Sequence, residues 1–243
     1  MRAESKYTTS LCATCPARDG VSFCDALHVR RPSDSAPRGQ LPRIHERAAA
    51  QDIIYSRGQH TNDICVLCQG WAITVATLPN GLRQILAVLL PGEPFSITAV
   101  FADTLPFTIQ AVTDVIYTRF KNVDVRAQMV GDPAIVTGLG QICVIEHTAM
   151  NDLVIDLGKR DAEQRVASLL LRLTQRLSSR FVIHGHRYPF PLRQRHIADM
   201  LGLTPVHVSR VMAGLRKSNI IDLRAGFLTI LDRDKLDRIG RLG

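Results

Sequence analysis

Three cysteines near the N-terminus, Cys12, Cys15 and Cys24, have the types and spacing to bind a metal. The pattern is C-x2-C-x8-C, and C-x3-H carries it on to His28. A C-x2-C turn brings two sulfurs to one point, Cys15-Pro16 keeps the loop short, and the third sulfur can fold back onto the same ion or cluster. Two chemistries are open: an iron–sulfur cluster on cysteine thiolates, or a structural zinc of the Cys3His kind using His28. Cys65 and Cys68 fall in one strand-like run, where a three-residue offset puts them on opposite faces and keeps them from sharing an ion.

A second chemistry lies in Arg193 to Lys217, RQRHIADMLGLTPVHVSRVMAGLRK. Ile197, Ala198 and Leu201 share a helical face, and Gly202 stops that helix where a left-handed residue is required. Thr204 then Pro205 starts another helix, a hydroxyl cap followed by a residue whose missing N–H is not needed. Val208, Val211, Met212 and Leu215 pack that second helix inward, leaving Val206, His207, Ser209, Arg210 and Ala213 outward. This is a helix-turn-helix whose second helix fits a DNA major groove.

Charge agrees. The chain carries a net +8, of which residues 184–243 hold eleven Lys/Arg against five Asp/Glu, while residues 1–183 hold nineteen against seventeen. A basic excess around the motif is the footprint of a phosphate-binding surface. Apolar content of 46 % and charged content of 21 % are those of a globular protein, no window reads as a membrane span, and the N-terminus lacks a signal-peptide core. A cytoplasmic protein without a disulfide framework is the expectation.

The elements that must position these groups follow in order. Residues 1–40 form a cysteine-containing segment ending in a polar linker, Arg30 to Gly39. Residues 41–130 read as short strands (Ile64–Leu67, Ala72–Leu78, Arg83–Leu90, Val115–Phe120) with glycines at 58, 70, 81 and 92, the pattern of a small barrel or roll. Pro79-Asn80-Gly81 predicts a type I′ hairpin turn. Asp132-Pro133 opens a helix over 131–158, broken at Gly158. Its heptad run of Val136, Leu139, Cys143, Glu146, Met150, Leu153 and Leu157 predicts self-pairing into a dimer, with Cys143 a small buried hydrophobe in the seam.

Residues 159–243 begin with a helix capped by Asp161 and lined by Ala162, Val166, Leu169, Leu170, Leu173 and Leu177. After the helix-turn-helix, Ile220–Leu223 and Phe227–Ile230 form a hairpin with Arg224 at its tip. The fold class is α+β: a β-roll sensor domain of the cyclic-nucleotide-binding kind, a long dimerisation helix and a winged helix-turn-helix. The DNA-facing set is Thr204, Val206, His207, Ser209, Arg210, Arg216 and Arg224. A cupin-like metal enzyme is disfavoured, because residues 41–126 hold only His45 and His60 and no H-x-H pair. No catalytic residues are expected.

This order of parts resembles the CRP/FNR family of bacterial transcription regulators across nearly the whole chain. Gly70-Trp71 and Leu90-Pro91-Gly92-Glu93 carry the likeness in the roll, Ala162 to Ala167 before the DNA domain, and Ile197 to Thr204 with Val208-Ser209-Arg210 within it. The resemblance implies a homodimer on a two-fold symmetric operator, acting on RNA polymerase. The tail cysteines look like the FNR branch, which holds an oxygen-labile [4Fe–4S] cluster. That branch takes its fourth cysteine from a late roll strand, where this chain has Tyr117, so the fourth ligand is Cys65, Cys68, His28 or an external group, or else the cluster differs. Cyclic-nucleotide-binding relatives pair an arginine with the phosphate, whereas residues 94–118 here hold no Lys, Arg or His, so no cyclic nucleotide is expected. FNR-type readers usually carry Glu-x-x-Ser-Arg; Val206 stands in the glutamate position, suited to a thymine methyl, while Arg210 retains the reach for guanine O6 and N7.

Overall fold

A computed structural model describes Cys24, Leu41, residues 43–180 and residues 186–241. Cys12, Cys15, His28 and the Arg30–Gly39 linker lie outside the described residues. Two compact units make up the chain: Met1–Thr74 with Val88–Ile145, and Val75–Ala87 with Glu146–Gly243.

Eight strands form the roll, β1 (Arg43–Ala48), β2 (Ile53–Tyr55), β3 (Asp63–Gln69), β4 (Ala72–Thr77), β5 (Arg83–Leu89), β6 (Pro94–Phe95), β7 (Thr108–Ala111) and β8 (Val115–Lys121), all in the first unit except for Val75–Ala87 of the β4–β5 hairpin. They form two four-stranded sheets, β1-β8-β3-β6 and β2-β7-β4-β5. Alternation along β3 divides the core. Cys65 and Leu67 face the roll interior with Tyr55, Leu89, Phe95, Ile109 and Val115. Ile64 and Val66 face outward onto Phe120, Ile97 and Val100, and onto Val125 of α1 (Asn122–Gly131). Gly70 joins β3 to β4 at φ +82°, and a Cβ there would lie 2.2 Å from the Asp114 carbonyl oxygen, so only glycine fits.

The turn between β4 and β5 differs from expectation. Gly81 alone takes positive φ, and its N–H donates to the Leu78 carbonyl at 2.9 Å. Pro79 holds the negative φ that the first central position of a type I turn needs, and Gly81 closes it as a bulge. The pair of positive φ values that marks a type I′ turn occurs instead at Ala225 (50°) and Gly226 (77°).

Helix α2 (Pro133–Lys159) follows α1 after a 120° bend at Asp132, whose carboxylate accepts from the Ala134 N–H at 2.9 Å. It runs through Gly158 rather than stopping there, because glycine weakens a helix without ending it. No single helix among the described residues is long and apolar enough to cross a membrane.

In the second unit, α3 (Ala162–Ser178) starts with a full capping box: Gln164 N–H to Asp161 Oδ1 at 2.9 Å and Asp161 N–H to Gln164 Oε1 at 3.0 Å. Then come β9 (Arg187–Pro189), α4 (Gln194–Leu201), α5 (Pro205–Lys217), β10 (Ile221–Arg224), β11 (Phe227–Ile230) and α6 (Arg233–Arg241). The wing is a three-stranded sheet, β10-β11-β9, one strand more than the hairpin read from the sequence. Helix α6, also unanticipated, packs along α3, and Gly240 lets the two backbones meet: a Cβ there would sit 2.7 Å from Leu171 Cδ1 and 3.1 Å from Ser168 N.

Candidate functional site

The reader element is α5. Thr204 caps it, its hydroxyl accepting from the His207 N–H at 3.2 Å, and Pro205 opens it. Val208, Met212 and Leu215 are buried and Val211 is half-buried, so the opposite face is available. Val206 is 61 % exposed on that face. Thr204, His207, Arg210 and Arg216 are exposed with it, and Ser209 is half-buried. The first turn of α5 therefore presents a methyl-bearing group, an imidazole, a hydroxyl and a guanidinium together, the mixture that reads base edges and phosphates.

Several supports hold this helix in place. Gly202 turns the chain between α4 and α5 at φ +63°, and its backbone lies beside Leu157 of α2, whose Cδ2 would be 3.4 Å from an added Cβ. Arg165 of α3, within the Ala162–Ala167 stretch but given no role there, donates through Nη1 to the Leu201 carbonyl at 3.0 Å and through Nε to the Arg160 carbonyl at 2.8 Å. It thereby satisfies a carbonyl that the end of α4 leaves open. The tip of the β4–β5 hairpin also belongs to this unit: Gln84 Nε2 donates to the Met200 carbonyl at 2.9 Å. His196 on α4 accepts from the Arg193 N–H through Nδ1 at 3.2 Å. Burial, then Arg195, Arg193 and Arg83, push its pKa down to about 4.

On the wing, Arg224 lies at the end of β10, exposed, with its Nε 3.1 Å from Asp222 Oδ1. Arg187 of β9 stacks over the Phe227 ring at 4.1 Å from its centroid. That pairing fixes a second guanidinium on the wing sheet. The sequence signal for it was the Arg-Tyr-Pro-Phe run, in which Tyr188 and Phe190 are buried.

The pairing face of α2 differs from the heptad reading. Leu139 (2 % exposed) and Leu153 (6 % exposed) face the interior of their own chain, Leu139 within the outer roll core beside Ile135 and Ile142. Counting heptads cannot separate an apolar residue that covers its own domain from one that awaits a partner. Val136, Cys143 and Met150 are exposed and Leu157 is half-buried against Gly202, while Val144, Ile145, Val154 and Ile155 add exposed apolar surface that the heptad run omitted. Cys143 is thus an exposed helix residue in the single chain rather than a buried one.

The described cysteines separate cleanly. Cys24 is half-buried and packs against the outer core that holds Ile64, Val66, Ile135 and Leu139. Cys65 is fully buried in the roll interior, 3.5 Å from the Tyr55 hydroxyl, and burial pushes its thiol up to about 12. Cys68 is half-buried, its Sγ 3.1 Å from Thr118 Oγ1, which in turn lies 2.8 Å from His45 Nδ1. Tyr117 packs edge-on to Phe95 at 5.6 Å, in the interior. Among the described residues no three His, Cys, Asp or Glu converge as a metal site.

Known proteins share these parts. A model of the Crp-like helix-turn-helix domain matches residues 164–239, and a model of the cyclic nucleotide-binding domain matches residues 45–132. The nitrogen fixation regulation protein FixK of Rhizobium meliloti is 30 % identical over 70 % of this chain and 74 % of its own length. The transcriptional activatory protein AadR of Rhodopseudomonas palustris is 25 % identical over 94 % of this chain and 92 % of its own. The solved structure of FixK2 from Bradyrhizobium japonicum superposes with a TM-score of 0.77 at 24 % identity, covering 84 % of this chain and all of that one. The chain belongs to the CRP/FNR family of DNA-binding transcription regulators.

Proposed function

We propose that two copies of this chain pair along α2 and set their α5 helices into successive major grooves of a two-fold symmetric operator, from which they act on RNA polymerase in the cytoplasm. What carries the reading is an exposed stretch of α2: residues 143–151 are exposed around the whole helix, with the apolar Val144, Ile145 and Met150 among them. A helix with apolar residues on all sides is stable only when covered. In the groove, Arg210 makes the bidentate contact to guanine O6 and N7, and Val206 packs on a thymine methyl. Ser209, His207, Thr204 and Arg216, with Arg224 and Arg187 on the wing, hold phosphates.

The regulator senses redox state or oxygen through thiols of the N-terminal segment, Cys12, Cys15 and Cys24. Their donor chemistry fits an iron–sulfur centre, which when bound supplies an oxygen-labile link between tail and roll. Cys24 packs on the same core as Ile135, Leu139 and Ile142 in the first turns of α2. Anchoring or releasing the tail there biases how α2 presents its pairing face, a shift between two packings. Binding-site selection with the full chain, prepared with and without air, tests the whole reading. Enrichment of an inverted repeat with guanine at the Arg210 position supports it; enrichment of a single half-site, or of no sequence, overturns it.

A further inference from the structure

Two side chains from outside the α4–α5 pair close the end of α4. We propose that one of them, Gln84 on the β4–β5 hairpin, is a positioning residue for sequence reading, acting through the turn that aims α5 rather than by touching DNA. The inference rests on the reading of α5 as the element that meets base edges.

A helix leaves its last carbonyls without partners from within. In α4 the Ala198 carbonyl accepts from the turn itself, from the Gly202 N–H and from the Leu203 N–H at 3.1 Å. The final two carbonyls receive side-chain donors instead. Gln84 Nε2 reaches the Met200 carbonyl at 2.9 Å, and Arg165 Nη1 reaches that of Leu201 at 3.0 Å. Met200 and Leu201 are both buried, so water does not readily replace a lost donor. Only Gly202, Leu203 and Thr204 separate these carbonyls from the first residue of α5, and Gly202 holds φ +63°. The clamp therefore lies on the joint that sets the angle between the two helices.

The hairpin is shaped for this contact. The Gln84 amide also donates to the Ile85 carbonyl at 3.2 Å, so both of its hydrogens are used and its plane is fixed. Val75–Ala87, which carries Gln84, belongs to the same compact unit as α4 and α5. Burial raises the pKa of Asp199 and Arg83, next to Gln84, opposes it; Arg83 also adds to the burial, Arg195 and Arg193 that push His196 down. His196, Asp199 and Met200 stand at i, i+3 and i+4, one face of α4, and that is the face the hairpin meets.

Base contacts and phosphate contacts respond differently when a helix rotates. A bidentate contact such as that of Arg210 survives only within about 0.5 Å of its productive geometry. Phosphate contacts are spread over the surface and carry no sequence information. Loss of the clamp should thus cost discrimination and spare non-specific binding, whereas a loss of folded protein would lower both alike.

Binding-site selection with full-length wild type supplies the operator duplex, and a scrambled duplex of the same length and composition is the non-specific probe. Dissociation constants on both are measured for wild type, for Gln84→Met, which keeps the length without the donor, and for Gln84→Asn, which withdraws the donor by one methylene. Thermal melts by circular dichroism establish that each chain is folded at the assay temperature, and if one variant does not fold the other decides. Each folded variant should bind the operator about tenfold more weakly, with unchanged affinity for the scrambled duplex. An unchanged operator affinity, or an equal loss on both duplexes, overturns the assignment. A wild type that enriches no sequence defeats the reading of α5, and this inference with it.

Discussion

Asp156 offers the sharpest test of how α2 is tied to the DNA-reading unit. Its carboxylate is fully buried near the end of α2, with Oδ1 2.9 Å from Arg160 Nη1 and Oδ2 bonded to Arg172 Nη2 of α3. Arg172 Nη1 also donates to Ser168 Oγ at 2.6 Å, and Arg160 Nη1 donates to the same oxygen. Replacing Asp156 with Asn keeps the volume but leaves two guanidinium groups side by side without a counter-charge. Breaking one partner of a buried pair costs about 3–5 kcal/mol. The arginine side chains keep 20 % and 28 % of their surface exposed, so water screens part of the repulsion and the lower end, about 3 kcal/mol, is expected. For a unit of this size that lowers its melting midpoint on the order of 10 °C. Because two units need not melt together, the assay is hydrogen exchange followed by mass spectrometry on peptides spanning residues 153–177. Protection should fall there and stay unchanged in the roll. Removing all three charges at once (Asp156→Leu, Arg160→Met, Arg172→Leu) should cost much less than Asp156→Asn alone. If Asp156→Asn leaves protection unchanged, or the triple variant is the worse of the two, the ion cluster is not what joins α2 to α3.

Val206→Glu should move the preferred base on the contacted strand toward cytosine by roughly 1–3 kcal/mol, read as a changed consensus in binding-site selection; an unchanged consensus removes Val206 from the base-reading set. Ile145→Asp should raise the dimer Kd roughly a hundredfold, two carboxylates per dimer each costing more than about 1.4 kcal/mol, measured by sedimentation against a folded-monomer control. Gly240→Ala should destabilise the second unit by about 1–3 kcal/mol, since the new methyl would meet Ser168 N at 3.1 Å and Ala167 C at 3.2 Å as well as the Leu171 side chain; a neutral effect in urea unfolding would mean that α6 slides freely on α3. His196, held near pKa 4 in the fold against 6.5 unfolded, keeps its stabilising neutral form above pH 6.5 and loses that advantage as pH falls toward 4. Protonation also ends Nδ1 acceptance from Arg193 N–H and puts a cation at a helix N-terminus. The loss should be roughly 1–2 kcal/mol for a half-exposed ring, and His196→Gln should flatten that part of the wild-type pH profile; identical slopes would refute it.

What the chain made legible without coordinates was whatever short-range chemistry decides. Gly202, Thr204 and Pro205 specify the turn between α4 and α5 within four residues, and Asp161 with Gln164 specifies the start of α3 in the same way. β9 was illegible because three residues have no pattern of their own. Arg187–Pro189 is a strand only because β11 lies alongside, Leu228 facing Tyr188. Helix α6 hid for a related reason: its polar sequence carries one fully buried anchor, Leu236, and its place depends on Gly240 meeting α3. The hairpin turn at Pro79-Asn80-Gly81 misled because two local rules compete there. Asn-Gly favours positive φ at both central positions, but Pro79 supplies a ready-made type I start, and the structure follows the proline.

The seam of α2 shows where periodicity runs out in principle. A heptad count reports which residues share a stripe, and Val136 to Leu157 do share one. It does not report what lies against the stripe. Leu139 meets Ile135, Ile142 and the outer sheet core, Leu157 meets Gly202, and between them residues 143–151 are all exposed. One helix therefore has three surroundings in succession, a roll core, an exposed apolar middle and the turn before α5, and the proposed pairing is what would cover the middle.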